Sequence, residues 1–446
     1  MYRLATRRTE LALLVPVLLL VPLGVVVTHI AQSGVLETGP LAVAVAFVVV
    51  FAIAHFVLAW TDHRGDELLL PAVAALSVFG IVMLNRLPQD LAGNAAFNLG
   101  MVGTQLVWFA IGLGAMLVVA IGLRDDGFLR HYKYSWGLFA AVLLIITFLF
   151  GTEVNGARLW IVIGPFGFQP SEAIKIMLVI FLAGYLAENR AVLAGASLRI
   201  GPFALPPLPY LAPMLIVFAA VMLVVVVSRD LGTALLFFGV FLVMLFVATG
   251  RRAYVLLGMM MFVAGSAVAY ALFPHVAERI DVWIDPWADA DGSGYQAVQA
   301  IYAFARGGLL GEGLGQGLPT IDGVLPVPAV HTDMIFAAIG EELGLLGGVA
   351  LLGIVTVVMT RGLRIAVLAR DDFTTMLAAG LAAGLVLQSL IIIGGNLKVV
   401  PLTGITLPFV SYGGSSLLAS FVVVGLMLSV SHRSAPSAPP AVEDAA

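Results

Sequence analysis

Twelve apolar stretches leave this chain few ways to fold. They lie near 11–31, 40–60, 67–85, 100–122, 132–151, 172–188, 209–227, 230–249, 253–273, 334–360, 374–397 and 412–431. Each is long enough to cross a hydrocarbon core of about 30 Å as a helix, with 172–188 near the lower limit of about 17 residues. In lipid the backbone must satisfy its own polar groups, so lone spans of this kind fold as helices. Composition agrees: 61% of the 446 residues are hydrophobic and only 11% are charged, against roughly 25% charged in a soluble domain. The expected fold is an all-α polytopic membrane protein. The first stretch exceeds the ~7–15 residues of a signal-peptide core and further spans follow at once, so it reads as a span. The net charge of -4 points to no nucleic-acid partner. With no cysteine there is neither disulfide nor thiol chemistry.

Basic residues give the orientation. With the N-terminus in the cytoplasm, about fifteen Arg and Lys fall inside and six outside, among them Arg86, Arg158, Arg229, Arg279, Arg306 and Lys398. That is the sign the positive-inside rule requires. The longest polar interval, about 274–333, is then extracytoplasmic. The Pro- and Ala-rich tail, 434–446, reads as a disordered cytoplasmic end.

The 274–333 loop concentrates acids. Asp281, Asp285, Asp289 and Asp291 alternate with Trp283, Trp287 and Tyr295, and Gly292 and Gly294 follow. A helix is expected from Tyr295, with Tyr295, Val298, Ile301, Tyr302 and Ala305 on one side. An acid before a helix start can simply cap it, so a capping role for Asp289 or Asp291 stands beside a chemical one. Further on, Gly307, Gly308, Gly311, Gly313, Gly315 and Gly317 resemble a phosphate loop by composition only. No strand precedes them and no Gly-Lys-Ser/Thr closes the run, so nothing supports a nucleotide site.

Interrupted segments carry the remaining polar signals. Asn155-Gly156-Ala157-Arg158 with Trp160-Ile161 leads into Gln169-Pro170-Ser171-Glu172, with Lys175 inside the next span. Glu172 and Lys175 are three apart, share a helix face and can pair. A Lys within a span faces a cavity or a partner, so the pair serves either structure or substrate. Asp230 opens a span from Ser228-Arg229, a natural capping position. His331-Thr332-Asp333 leads into Glu341-Glu342-Leu343-Gly344. Lys398 precedes Ser411-Tyr412-Gly413-Gly414-Ser415-Ser416. No paired-His spacing argues for zinc.

As an ordered set, these motifs resemble the SEDS family, the FtsW/RodA/SpoVE type of peptidoglycan glycosyltransferase, with a RodA-like member the nearer likeness. The resemblance runs from about Glu67 to Val430. It departs at Leu159, where Arg is common, at Ser228-Arg229, where Gln-Pro is usual, and around 392–394. It implies a ten-span core at 67–433 with two additional spans in 1–66. It implies polymerisation of lipid II into glycan strands, for elongation or division, on the outer face of the bacterial cytoplasmic membrane. The family's catalytic acid falls on Asp289. Arg158, Lys175 and Lys398 are the cations implied for the substrate; Glu172 and Asp230 match polar positions lining the family's cavity, where they are implied to orient Lys175 or hold a divalent ion; and His331 is a further residue implied to bind substrate.

The chemistry fits such a set. An acceptor hydroxyl must lose a proton while it attacks an anomeric carbon, and a positioned carboxylate is a suitable base. The leaving pyrophosphate needs cations or a divalent ion, Mg or Mn. The implied partner is a class B penicillin-binding protein, since no Ser-x-x-Lys transpeptidase motif stands in an extracytoplasmic domain. Two other readings stay open: a flippase or transporter of lipid-linked precursors built on broken helices, and a non-catalytic scaffold.

Overall fold

The computed structural model describes residues 7–34, 38–91, 99–123, 125–154, 157–164, 166–195, 198–200, 203–205, 208–317 and 326–435. The expected tail and Asn155-Gly156 lie largely or wholly outside these residues. Helices dominate. They are α1 (Arg8–Ser33), α2 (Thr38–Trp60), α3 (Leu69–Asn85), α4 (Gly100–Gly122), α5 (Gly127–His131), α6 (Lys133–Phe150), α7 (Pro170–Ala194) and α8 (Leu208–Val227). There follow α9 (Leu231–Thr249), α10 (Arg252–Leu272), α11 (Pro274–Ile284), α12 (Tyr295–Gly307), α13 (Ile335–Leu368), α14 (Asp372–Asn396) and α15 (Gly414–Ser434). Among the described residues, ten helices are long and apolar enough to cross a membrane, and Leu69–Asn85 and Ala212–Leu223 are shorter apolar helices. All twelve expected stretches are therefore helical.

Two expectations are corrected. The stretch read as 172–188 is a 25-residue helix, α7. Pro170 starts it, where the missing N–H costs nothing, and its polar ends carry the helix past the apolar run. The helix from Tyr295 forms, but its buried face is Ala297, Val298, Ala300, Ala303 and Gly307, while Tyr302 is exposed. Small residues make this seam because α12 lies directly against α13. A Cβ at Gly307 would collide with the Gly340 carbonyl, and one at Gly340 with the Phe304 ring. Close backbone approach through small residues is the usual way helices associate without a hydrophobic drive.

Among the ten long apolar helices the most buried are α14 and α15, whereas α10 buries only Tyr254. A three-stranded antiparallel sheet, β1 (Thr152–Val154), β2 (Ala157–Ile163) and β3 (Phe166–Phe168), leads into α7. The short pair β4 (Leu198–Ile200) and β5 (Phe203–Leu205) joins α7 to α8.

The first two helices are fastened by buried polar groups. Arg7 donates to the carbonyls of His63 (2.6 Å), Gly65 (3.2 Å) and Asp66 (3.1 Å) and pairs with Glu10. Glu10 also lies 2.7 Å from His55 Nδ1 on α2. Asp66 in turn pairs with Arg361 of α13. A buried charge is tolerated when paired and hydrogen-bonded, and this node ties α1 and α2 to the helices that follow.

Midway, α13 is broken. Gly344 has φ 63° and ψ -162° inside the helix. The glycine-rich run fills the gap, with Glu312 N–H donating to Glu341 O (3.0 Å), Gly313 N–H to Glu342 O (3.0 Å) and Leu345 N–H to Gly308 O (3.0 Å). A Cβ at Gly311 would collide with the Glu342 carbonyl. The run is thus a backbone splint for a helix break. The Glu342 side chain completes it, accepting from Gly315 N–H (3.0 Å) and Gly317 N–H (3.2 Å) and pairing with Arg86.

Candidate active site at the loop end of the bundle

Asp289 ends a short 3-10 turn, Pro286–Asp289, between α11 and α12. Asp285 caps that turn, its Oδ1 accepting from Trp287 N–H at 3.1 Å. Asp289 Oδ2 accepts twice from Ser293, from its N–H (2.7 Å) and its Oγ–H (2.9 Å). These bonds, first the backbone one, hold the exposed carboxyl below the usual carboxylate range, with a smaller contribution from the Gly292 N–H. A depressed value keeps the group ionised and able to accept a proton. Asp289 thus closes the turn ahead of α12 through Oδ2, while the helix itself has Gly294 at its N-cap position and no side-chain cap, so the expected capping of that helix by Asp289 or Asp291 is not what holds its first turn.

Two hollows meet here. One, of about 560 Å³, is lined by Asp281, Asp285, Asp289 and the edge of α11. Asp291 does not line it. The other, of about 350 Å³, lies between α11, the start of α12, the α8–α9 turn and the end of α14, and is lined by Arg229, His275, Arg279 and Lys398. Glu278, Val282 and Ser293 line both, so the two are contiguous. Burial, then Arg229 and Arg279, lower the His275 pKa, so the imidazole is neutral in a cationic setting. Trp283 Nε1–H donates to Lys398 O (3.0 Å), and Arg279 donates to Leu402 O (2.7 Å). Arg229 (φ 64°) and Lys398 (φ 58°) both adopt left-handed backbone. Such residues persist where surrounding structure fixes them, often at functional sites.

The other expected site residues are placed elsewhere. Glu172 and Lys175 do pair, at 2.7 Å, and Lys175 also donates to Gln388 Oε1 at 2.7 Å. Both are buried, beside a void of only about 10 Å³. Asp230 caps α9, accepting from Thr233 N–H at 3.0 Å. Arg158 is exposed on β2, 3.6 Å from Glu153 across the hairpin, and lines neither hollow. His331 also lies off both; its carbonyl accepts from Tyr412 N–H (2.8 Å), and Ser411 Oγ–H donates to Thr332 O (2.5 Å). The His-Thr-Asp and Ser-Tyr-Gly-Gly motifs thus join as one support. Among the described residues no group of three or more His, Cys, Asp or Glu side chains could hold a metal ion. Glu172 and Asp230, the acids offered for a divalent ion, are each committed to another partner.

Arg229 and Arg279 were not singled out by sequence, although both were counted among the outer basic residues. The signal was the Arg229 departure from Gln-Pro, a charge gained at a turn beside a span.

Apolar helices with an exposed carboxylate beside a cationic hollow define a multi-pass membrane protein with a polar site at one end of its helices. The chain belongs to the FtsW/RodA/SpoVE family of cell cycle proteins, whose pattern matches residues 67–435. It is 41% identical over 392 residues to the peptidoglycan glycosyltransferase RodA of Mycobacterium tuberculosis (strain ATCC 25618 / H37Rv), covering 87% of this chain and 82% of that one. Among solved structures it is similar to one described as a peptidoglycan synthase complex that coordinates polymerization and crosslinking. That likeness has TM-score 0.63 and 29% identity, covering 83% of this chain and 98% of the other. The rod shape determining protein RodA of Thermus thermophilus is similar too, with TM-score 0.57 and 27% identity, covering 83% and 97%. With ten helices among the described residues long and apolar enough to cross a membrane, and this family, the chain is a multi-pass protein of the cytoplasmic membrane.

Proposed function

We propose that the protein is a peptidoglycan glycosyltransferase that polymerises lipid II into glycan strands, for elongation or division, through a core at 67–433. The single observation that carries this is the contiguity of the Asp289 hollow and the cationic hollow across Ser293. The relative named peptidoglycan glycosyltransferase RodA supports it.

In the reaction, an acceptor sugar hydroxyl attacks the anomeric carbon of a lipid-linked sugar. Its proton goes to Asp289, the C–O bond to the pyrophosphate breaks, and the electron pair leaves on phosphate oxygen. Lys398, Arg229 and Arg279 stabilise that charge; cations aimed at developing charge in a partly dehydrated site are an effective catalytic device. Glu172, Lys175, Asp230 and His331 act beneath, fixing α7, α9 and the 331–412 contact on which the hollows rest. Arg158 is assigned no contact with substrate. A transporter would place its polar groups near mid-membrane, whereas these hollows lie at the end of α14. The partner is a class B penicillin-binding protein, a reading supported by the likeness to a synthase complex that joins polymerization to crosslinking.

The purified protein, given lipid II with and without such a partner, is expected to yield glycan strands. Well-folded protein that forms none in either case, yet moves lipid II across vesicles, would establish the transporter reading instead. The side of the membrane is tested separately. With the loop outside, Asp291→Cys is expected to react with a membrane-impermeant maleimide in intact cells, and Ser434→Cys only after permeabilisation. The cysteine-free parent gives no background. The opposite labelling pattern would place the loop, and the site, in the cytoplasm.

A further inference from the structure

We propose that Ser293 is the positioning residue of the reaction: it anchors one oxygen of Asp289 so that the other alone receives the acceptor's proton. The inference rests on the reading of Asp289 as the base.

Three observations carry it. Both Ser293 bonds end on the same oxygen, Oδ2, at 2.7 Å and 2.9 Å. A carboxylate on two rotatable bonds is otherwise free to turn; two bonds from Ser293 to one oxygen, with a smaller contribution from the Gly292 N–H, restrain it. Second, Gly292 leaves the room this requires, since a Cβ there would collide with both carboxylate oxygens. Its backbone does not have the positive φ that only glycine tolerates, so the missing side chain serves clearance. Third, Ser293 lines both hollows, so its bonds to Asp289 tether the carboxylate at the border between the acid-lined hollow and the cationic one. Oδ1 is the oxygen left to take the proton from the hydroxyl, and it bears that proton until solvent removes it. Positioning within a fraction of an ångström is worth large rate factors in such transfers.

The hydroxyl's bond also favours the ionised carboxylate. The sign follows: activity is present above the Asp289 pKa and lost as pH falls through it. Removing the Ser293 hydroxyl raises that pKa towards its ordinary value, so the acid limb of the rate profile moves to higher pH.

The test uses full-length protein in detergent with lipid II, measuring kcat and KM across pH. Ser293→Ala is expected to lower kcat about tenfold, the order expected for one lost hydrogen bond to a charged group, with KM unchanged and the acid limb moved up. Ser293→Thr, which keeps the hydroxyl, is expected to restore both. Gly292→Ala is expected to lose kcat even with Ser293 intact, because the new methyl displaces the carboxylate. Wild-type kcat and an unmoved acid limb in Ser293→Ala, while Asp289→Asn is inactive, overturn the positioning role and leave the base standing. An active Asp289→Asn overturns both.

Discussion

Asp289→Asn is expected to slow strand formation from lipid II by roughly 10²–10⁴-fold, the usual consequence of removing a general base. Asparagine keeps the size of the side chain and one oxygen to accept from Ser293, so the turn should survive while the proton acceptor is lost. Two neighbours serve as controls. Asp291 lies outside the hollow that Asp289 lines, and Asp291→Asn should leave the rate nearly unchanged. Asp285 holds the Trp287 N–H, a bond that asparagine can also accept, so Asp285→Asn should cost little. All three are compared at equal levels of folded protein. Near-normal rates in Asp289→Asn with loss in Asp285→Asn would move the base by one acid along the turn. Normal rates in all three would end the carboxylate mechanism.

The second large effect concerns stability. Arg86 and Glu342 pair with side chains only 2% and 1% exposed. Arg86→Ala strands a buried carboxylate, and truncating one member of such a pair costs about 3–5 kcal/mol. Thermal unfolding in detergent should move down sharply, and amides 311–317, which lean on Glu342 and its backbone, should exchange faster. The double change Arg86→Leu/Glu342→Gln removes both charges while keeping an oxygen for Gly315 and Gly317, and should recover most of the loss. A single variant that unfolds at the parent temperature with unchanged exchange would show that the node bears no part of the stability.

What could be read in the sequence, and what could not, divides along physical lines. Hydropathy marks every helix that crosses the apolar layer, because burying an unsatisfied backbone there is prohibitive. The i, i+3 spacing led to the Glu172–Lys175 pair, since that contact is local, whereas Asp289 was reached only through the family resemblance. Depth and lateral neighbours are not local. Arg158 and Lys175 have the chemistry of phosphate ligands, yet one faces solvent on a hairpin and the other is enclosed against Gln388. Arg279, one turn before Trp283, carried no distinguishing mark until α11 was seen to cover the end of α14. The apolar side of α12 was legible, but not which of its residues α13 would cover: close backbone approach at Gly307 and Gly340 buries Ala297, Val298, Ala300 and Ala303 and leaves Tyr302 exposed. The splint at Gly344 was foreshadowed by glycines on both sides, but composition alone could not pair them.

That splint has a consequence for how the protein is made. Carbonyls and amides released at a helix break cannot be left bare in lipid. Residues 307–317 emerge from the ribosome before α13 does, so the strand that closes the break already exists when this segment enters the bilayer. Helix α13 is thus a composite of two segments, and it is completed only when residues 308–313 are beside it. With the loop outside, as proposed, that closure follows translocation of the loop, and the seating of α13 comes after it.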